Sequence, residues 1–334
     1  MKASKDNPVY TTYVISGGQK YDLTSVVTSI NISDREKQIA KSVTIKVANI
    51  QTDGQRLGDI ISIRDRVYIY ASDGSKKDEV FRGFVWGYGK KAALNSRELT
   101  LRCYDNLIYL QESEDSIYFS KGKSTKDVVS QIASKWGISI SYNYSSITHD
   151  KLALRGTLSD ILIDDLLNLV KDRNGEKYVI LSEKDTMKIQ SLGQNSTVYT
   201  VKKKENGVAT SIDATMDDMT TQVVILGKET EDEREPVEAT VSGDTGQYGT
   251  LQKLISRSEN TSLADAKKEA QSIIDEDGEP TIEYSLDAPD IPWIRKGDRV
   301  TVNAGDINGS YIVLSIDRSI TNSAKMMNLT LEEP

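Results

Sequence analysis

One histidine and one cysteine are all that 334 residues supply to imidazole or thiol chemistry. His149 sits in the polar run Ser145–Asp150 ("SSITHD"), where a lone histidine is expected to be solvated. A Ser-His-Asp triad or a His-based metal cluster has almost no material here. Cys103 shares an alternating face with Leu99 and Leu101, which predicts a small buried apolar group rather than a thiolate. One cysteine also excludes an internal disulfide and a thiolate zinc site within the chain. Two acidic pairs remain, Glu112 with Glu114 and Asp217 with Asp218. Carboxylate pairs hydrolyse glycosides only when they face each other across a sugar cleft, and neighbours at strand ends are expected to be solvated.

Three further stretches have the outline of a binding motif. The run Asn303–Leu314 ("NAGDINGSYIVL") lacks the ligand spacing and closing glutamate of a calcium loop. Gly243–Gly249 ("GDTGQYG") is followed by no Gly-Lys-Ser/Thr, so it does not fit a phosphate cradle. Phe84–Lys91 ("FVWGYGKK") interleaves aromatic and basic residues as a base-stacking surface would, but it also reads as a strand ending in a solvated turn. The expectation is therefore a non-enzyme, with no catalytic, cofactor-binding or metal-binding residue and no cofactor.

Composition excludes further classes. Forty-two basic and fifty acidic residues give a net charge of −8, which argues against a general nucleic-acid binder, and no sequence-specific nucleic-acid binding is expected. No run of about eighteen apolar residues occurs and the first residues lack an apolar signal core, so membrane insertion and export are not expected. Sixteen Tyr against three Phe, with abundant Thr, Val and Ile, is a strand-forming palette with half-wet surfaces.

Alternation of apolar and polar residues marks strands at both ends of the chain. From Trp293 to Glu333 three strands are expected, in "IRKGDRVTVNA", "SYIVLSIDRSI" and "KMMNLTLEE", with a turn at Asp306–Gly309. The same order appears earlier, in "RDRVYIYAS", "EVFRGFVWGYG" and "SRELTLRCYD". Asp65–Val67 matches Asp298–Val300, and Leu99–Leu101 matches Leu329–Leu331. Between the two units the pattern changes. Ser124 with Asp127 caps a helix whose apolar face is Val128, Val129, Ile132 and Trp136. A second helix is expected from Leu158 to Arg173, closed by Asn174-Gly175, and Lys184-Asp185 turns a hairpin. Further on come a hairpin at Asn206-Gly207, a solvated charged loop at Glu229–Glu235, and a helix from Leu263 to about Asp275 capped by Ser262 and Asp265.

The expected fold is mainly β: two antiparallel β-barrel domains flanking or carrying a small α+β module. Residues 1–115 form the first barrel, open to completion by strands from elsewhere. Residues 116–195 form the α+β insert, and residues 196–334 the second barrel with one helix at about 262–275.

The blocks Val80–Gly89, Arg97–Leu110, Gly246–Ile274, Ile294–Ile320 and Asn328–Glu333 resemble the XkdQ/YqbQ-type prophage proteins. These belong with the late control protein D-like baseplate hubs of contractile phage tails and phage-tail-like bacteriocins. The resemblance covers nearly the whole chain and is least specific in the middle module. It implies tail-tube-like barrels and a homotrimeric structural hub, an adaptor between a hexameric tail tube and a central spike. The implied partners are the tube protein, a central spike or tail lysin-type protein, baseplate wedge proteins and the tape-measure protein. The implied place is the tail baseplate of a virion or particle, assembled in the bacterial host cytoplasm. If such barrels line a channel that passes DNA, the acidic balance is expected to keep DNA from adhering. The alternative is a cell-wall-binding or hydrolytic tail-associated protein, for which Lys121–Ser139 bears a faint likeness to a LysM repeat.

Overall fold

The computed structural model describes residues 8–52, 54–94, 96–202, 209–227, 235–257 and 262–334. Asn206-Gly207 and positions 229–234 of the charged loop lie outside the described residues; Glu235 is exposed.

Strands dominate, in chain order: β1 (Val9–Ser16), β2 (Gln19–Asp22), β3 (Val27–Asp34), β4 (Ser42–Ala48), β5 (Gln51–Thr52), β6 (Gln55–Arg56), β7 (Arg66–Ser72), β8 (Lys77–Ala93), β9 (Ser96–Tyr104), β10 (Glu114–Phe119), β11 (Ser139–Asn143), β12 (Leu152–Thr157), β13 (Tyr178–Glu183), β14 (Thr186–Ser191), β15 (Tyr199–Lys202), β16 (Ala209–Thr215), β17 (Gln222–Leu226), β18 (Val237–Ser242), β19 (Gln252–Ser256), β20 (Thr281–Pro289), β21 (Arg299–Ala304), β22 (Ile307–Thr321) and β23 (Lys325–Glu332). Thirteen of them form one sheet, in the order β16-β20-β23-β22-β3-β4-β9-β8-β7-β1-β2, with β21 on β22 and β15 on β21. The chain divides into two compact units, residues 1–211 with 285–334, and residues 212–284. The sequence boundaries at 115/116 and 195/196 are not where these units part.

In the large unit the alternating strands bury one face. Val14, Ile30, Ile45, Val47, Val67, Ile69, Val85, Leu99, Leu101 and Cys103 share one core with Ile320 of β22. A second core belongs to the α+β module. There the helix Thr125–Lys135 contributes Val128, Val129, Ile132 and Ala133, and the next helical run contributes Leu158, Leu162, Leu166, Leu167 and Val170. Ser124 and Asp127 form the expected capping box, and Gly137 leaves the helix at φ 68°. The run from Leu158 to Asn174 is continuous but widens to a π-helix over Ile161–Leu167, and Gly175 at φ 67° ends it. Lys184 and Asp185, at φ 50° and 65°, make the two-residue turn between β13 and β14.

The small unit packs the helix Leu263–Asp277 on the three-stranded sheet β18-β17-β19, with Ala266, Ala270 and Ile274 against Val223 and Ile225. Ser262 Oγ accepts from Asp265 N–H at 3.1 Å, the expected cap.

The two echoing stretches are both antiparallel meanders with the longest strand in the middle, β7-β8-β9 and β21-β22-β23. Closed barrels do not emerge from the pairings among the described residues. β22 is flanked on its second half by β3 from the N-terminal region, which merges the two regions into one open sheet path.

Candidate assembly surface

The residues singled out for chemistry are scattered. His149 is 5% exposed, which corrects the expectation of a solvated loop histidine. The loop folds back on the capped helix: His149 N–H bonds Lys123 O at 2.9 Å, and the ring Nε2 lies 2.8 Å from Thr125 Oγ1. Burial, with Arg173 nearby, holds its pKa below the ordinary histidine value. Cys103 is 1% exposed between β4 and β8, and burial pushes its thiol well above the usual range. Glu114 is exposed on β10, and Asp217 and Asp218 are exposed beyond β16, so neither acidic pair faces a cleft. Gly305-Asp306 turns directly into β22 at Ile307, one residue earlier than the expected turn. In Gly243–Gly249 the short helix Thr245–Tyr248 is capped by Asp244.

Several features lie beyond the sequence pattern. The first is a buried polar lock in the large unit. Arg318, on β22, donates from Nε to Asp290 Oδ1 at 2.8 Å and from Nη2 to the carbonyls of Ile291 and Ile294. Tyr10 Oη donates to the other Asp290 oxygen. Lys296 reaches Asp34 at 3.1 Å, Gln38 O at 2.7 Å and Arg35 O at 3.0 Å, and Lys41 lies 3.3 Å from the second Asp34 oxygen. Asp34, Asp290, Lys296 and Arg318 are each 6% exposed or less, so these charges are tolerable only because each is paired. Burial opposes ionisation of Asp34, but Lys296 and Lys41 outweigh it and hold its carboxyl below the usual carboxylate range. Asp105 accepts only backbone N–H groups, from Lys41 at 3.0 Å and Leu107 at 2.9 Å, and burial pushes it up to about 7. Burial likewise pushes Asp298 up to about 6.

The second is a cavity of about 240 Å³ beside this lock. Lys41, Arg82, Arg295 and Lys184 line it together with Glu79 and Glu183. Six basic and five acidic residues line it in all, so the cavity has little net charge with which to collect a charged substrate. The lining serves to join elements. Asp185, on the β13–β14 turn, takes Arg66 at 2.6 Å and Arg82 at 3.4 Å, and its carbonyl takes Asn106 Nδ2 at 2.7 Å. The α+β module is thereby clamped to β7 and β8.

The third is the β8–β9 hairpin. The sequence places a solvated turn after Gly89; instead β8 continues to Ala93 and pairs with β9 as far as Ala93 opposite Ser96. From Gly89 to Ala93 every residue is exposed, and Leu94 at the tip is fully exposed. Trp86 is 39% exposed and stacks edge-on against Tyr104 and Tyr109 at 6.1 and 5.7 Å between ring centres. A partly wet aromatic strip ending in an apolar tip is the composition of an interface, not of a pocket.

Charge is also unevenly divided. Residues 212–284 contain eighteen acidic and six basic residues, a net −12, which leaves the large unit at +4. The acidity expected to repel DNA from tube-like strands therefore sits in the small unit and not in the meanders. None of the described helices is long and apolar enough to cross a membrane.

Several solved structures share this fold over nearly its full length. The tail protein from Neisseria meningitidis MC58 is 16% identical with a TM-score of 0.70, covering 97% of this chain and 96% of that one. The 43 kDa tail protein of prophage MuSo2 from Shewanella oneidensis is 13% identical, also with a TM-score of 0.70, covering 97% and 98%. Prophage tail protein gp18 from Listeria monocytogenes EGD-e is 14% identical with a TM-score of 0.58, covering 96% and 94%. No curated protein matches the sequence. At these identities the likeness is one of fold. Sequence evidence comes from the YQBQ-like family, whose profile matches residues 30–332. On that match the chain belongs to the YQBQ-like family.

Proposed function

We propose that the chain is a structural subunit of a contractile tail or related injection device, a trimeric hub that adapts a hexameric tube to a central spike. The observation that carries this reading is the repeated meander. Asp65 and Asp298 sit at the same place in the two copies, each preceded by a residue in the left-handed region, Arg64 at φ 72° and Gly297 at φ 81°. A threefold assembly that meets a sixfold ring needs two like surfaces on each chain, and two copies of one meander supply them. The fold shared with the Neisseria and Shewanella tail proteins supports the same assignment. The role in this reading is non-enzymatic: the aromatic strip and the buried lock give a rigid surface, and the two aspartates with raised pKa, Asp105 and Asp298, are buried and held by backbone N–H groups. The proposed partners are the tube protein on one side and a spike or lysin-type tail protein on the other, with baseplate proteins around them, and the proposed location is the particle's baseplate. Residues 116–195 act in this reading as a spacer module clamped through Asp185, between the two regions that carry the meanders. Light scattering of the purified chain, alone and with its tube protein, tests the reading: a trimer supports it, and a monomer under both conditions overturns it.

A further inference from the structure

The two meanders are alike in register, yet they differ in what lies beside them. Val85 of β8 is hydrogen-bonded to Arg64 and Asp65, and Val313 of β22 to Gly297 and Asp298, in the same pattern. A register shift follows each valine, between Val85 and Gly87 and between Val313 and Ser315. Counting from these valines, Tyr88–Ala93 of β8 corresponds to Ile316–Thr321 of β22. In β22 that segment is paired along its outer edge with β3, Ile316 opposite Asp34 through Thr321 opposite Ser29. In β8 the outer neighbour, β7, stops opposite Phe84, with the Val85 bonds to the preceding loop as its last contribution. Beyond that point β9 is the one strand beside β8 among the described residues.

We propose that the outer edge of β8 from Tyr88 to Ala93 is a strand-accepting joint, filled by a second copy of this chain as β3 fills the matching edge of β22. The inference rests on the trimeric reading above and names the surface that builds the trimer. A free strand edge is a row of main-chain donors and acceptors, and adding a strand satisfies them. The chain shows within itself that this backbone accepts such a strand, because β22 has the same shift, the same preceding bonds and a filled edge. Each chain thus has one filled and one open joint. If each open joint takes a strand from the next chain, the contact is heterologous and closes into a ring. Along this edge Lys90 is held at 2.7 Å by Asp59, and Lys91 stands opposite Glu98 of β9. Leu94 at the tip adds exposed apolar surface to the same edge.

Hydrogen exchange combined with light scattering on the full chain tests the joint. In the trimer, amides in Trp86–Ala93 are expected to exchange more slowly than in dilute monomer by about tenfold or more. Single substitutions Lys91→Pro and Ala92→Pro complement this measurement. Successive strand residues direct their N–H groups to opposite edges, so one of the two removes only an outward donor. That variant is expected to melt like the wild type and to run as a monomer. A wild-type trimer with unprotected edge amides, or two proline variants that both melt like the wild type and stay trimeric, overturns the joint and leaves the hub reading standing. A wild-type chain that is monomeric with and without tube protein overturns the hub reading and the joint together.

Discussion

Asp65 and Asp298 accept the same hydrogen bond in the two meanders: Ser62 N–H to Asp65 Oδ2 at 2.7 Å, and Arg295 N–H to Asp298 Oδ2 at 2.8 Å. Around each, the residue before the aspartate donates to a valine carbonyl at 2.7 Å, and that valine donates back to the aspartate carbonyl at 2.9 Å. The repeat is thus a matched set of local bonds, beyond a shared strand order.

The paired turn sites should respond oppositely to substitution. Arg64 occupies a left-handed conformation that costs an ordinary side chain roughly 1 kcal/mol, so Arg64→Gly should be neutral to stabilising by about that amount. Gly297→Ala should destabilise by about 2 kcal/mol or more, because the added Cβ would also stand 2.7 Å from Val179 Cγ1. Urea denaturation of both variants measures the difference; equal effects at the two sites would contradict it.

Removing Arg318 should be among the costliest single changes. Arg318→Ala strands the buried carboxylate of Asp290 and two carbonyls, a loss of about 3–5 kcal/mol. A melting curve within a degree or two of wild type would show that the lock contributes little.

Stability should fall as pH rises from 5 to 8. Asp105 and Asp298 have folded pKa values of about 7 and about 6, above the ordinary aspartate value. The folded state therefore binds protons that the unfolded state releases, so their contribution is full below about pH 4 and is lost as pH passes through 6 to 7. Asp34 and His149 have the opposite sign: the contribution of Asp34 is lost as pH drops below the ordinary aspartate value, and the smaller opposing contribution of His149 is lost as pH drops below the ordinary histidine value. Asp105→Asn should flatten the loss between pH 5 and 8, read as the denaturation midpoint at each pH. An unchanged slope in that variant would remove Asp105 as its source.

Cys103 should be silent to thiol reagents in the folded chain. Its burial and raised pKa leave almost no accessible thiolate, so labelling should wait for unfolding and accelerate in urea. Prompt stoichiometric labelling of native protein would mean that β9 opens readily.

Local signals explain much of what the sequence made legible. Ser124 with Asp127, Ser262 with Asp265, the glycine at 175 and the Lys184-Asp185 turn each act within a few residues, and each is present. The correspondence of the third strands came out two residues off. The pairings set Leu101 and Cys103, not Leu99 and Leu101, against Leu329 and Leu331, since Cys103 faces Val85 as Leu331 faces Val313. A slip of two keeps every side chain on its own face, so alternation alone cannot detect it. The lock was illegible for another reason. Tyr10 with Asp290 and Lys296 with Asp34 join residues more than 250 positions apart, where no periodicity connects them. The burial of His149 likewise depends on a loop folding back onto Lys123 and Thr125.

In the proposed hub each chain brings two tube-like β units to a threefold assembly. Native mass spectrometry of the chain bound to its tube protein tests this most directly. The account predicts three copies of this chain for each ring of six tube subunits, whereas six copies per ring, or one, would contradict it.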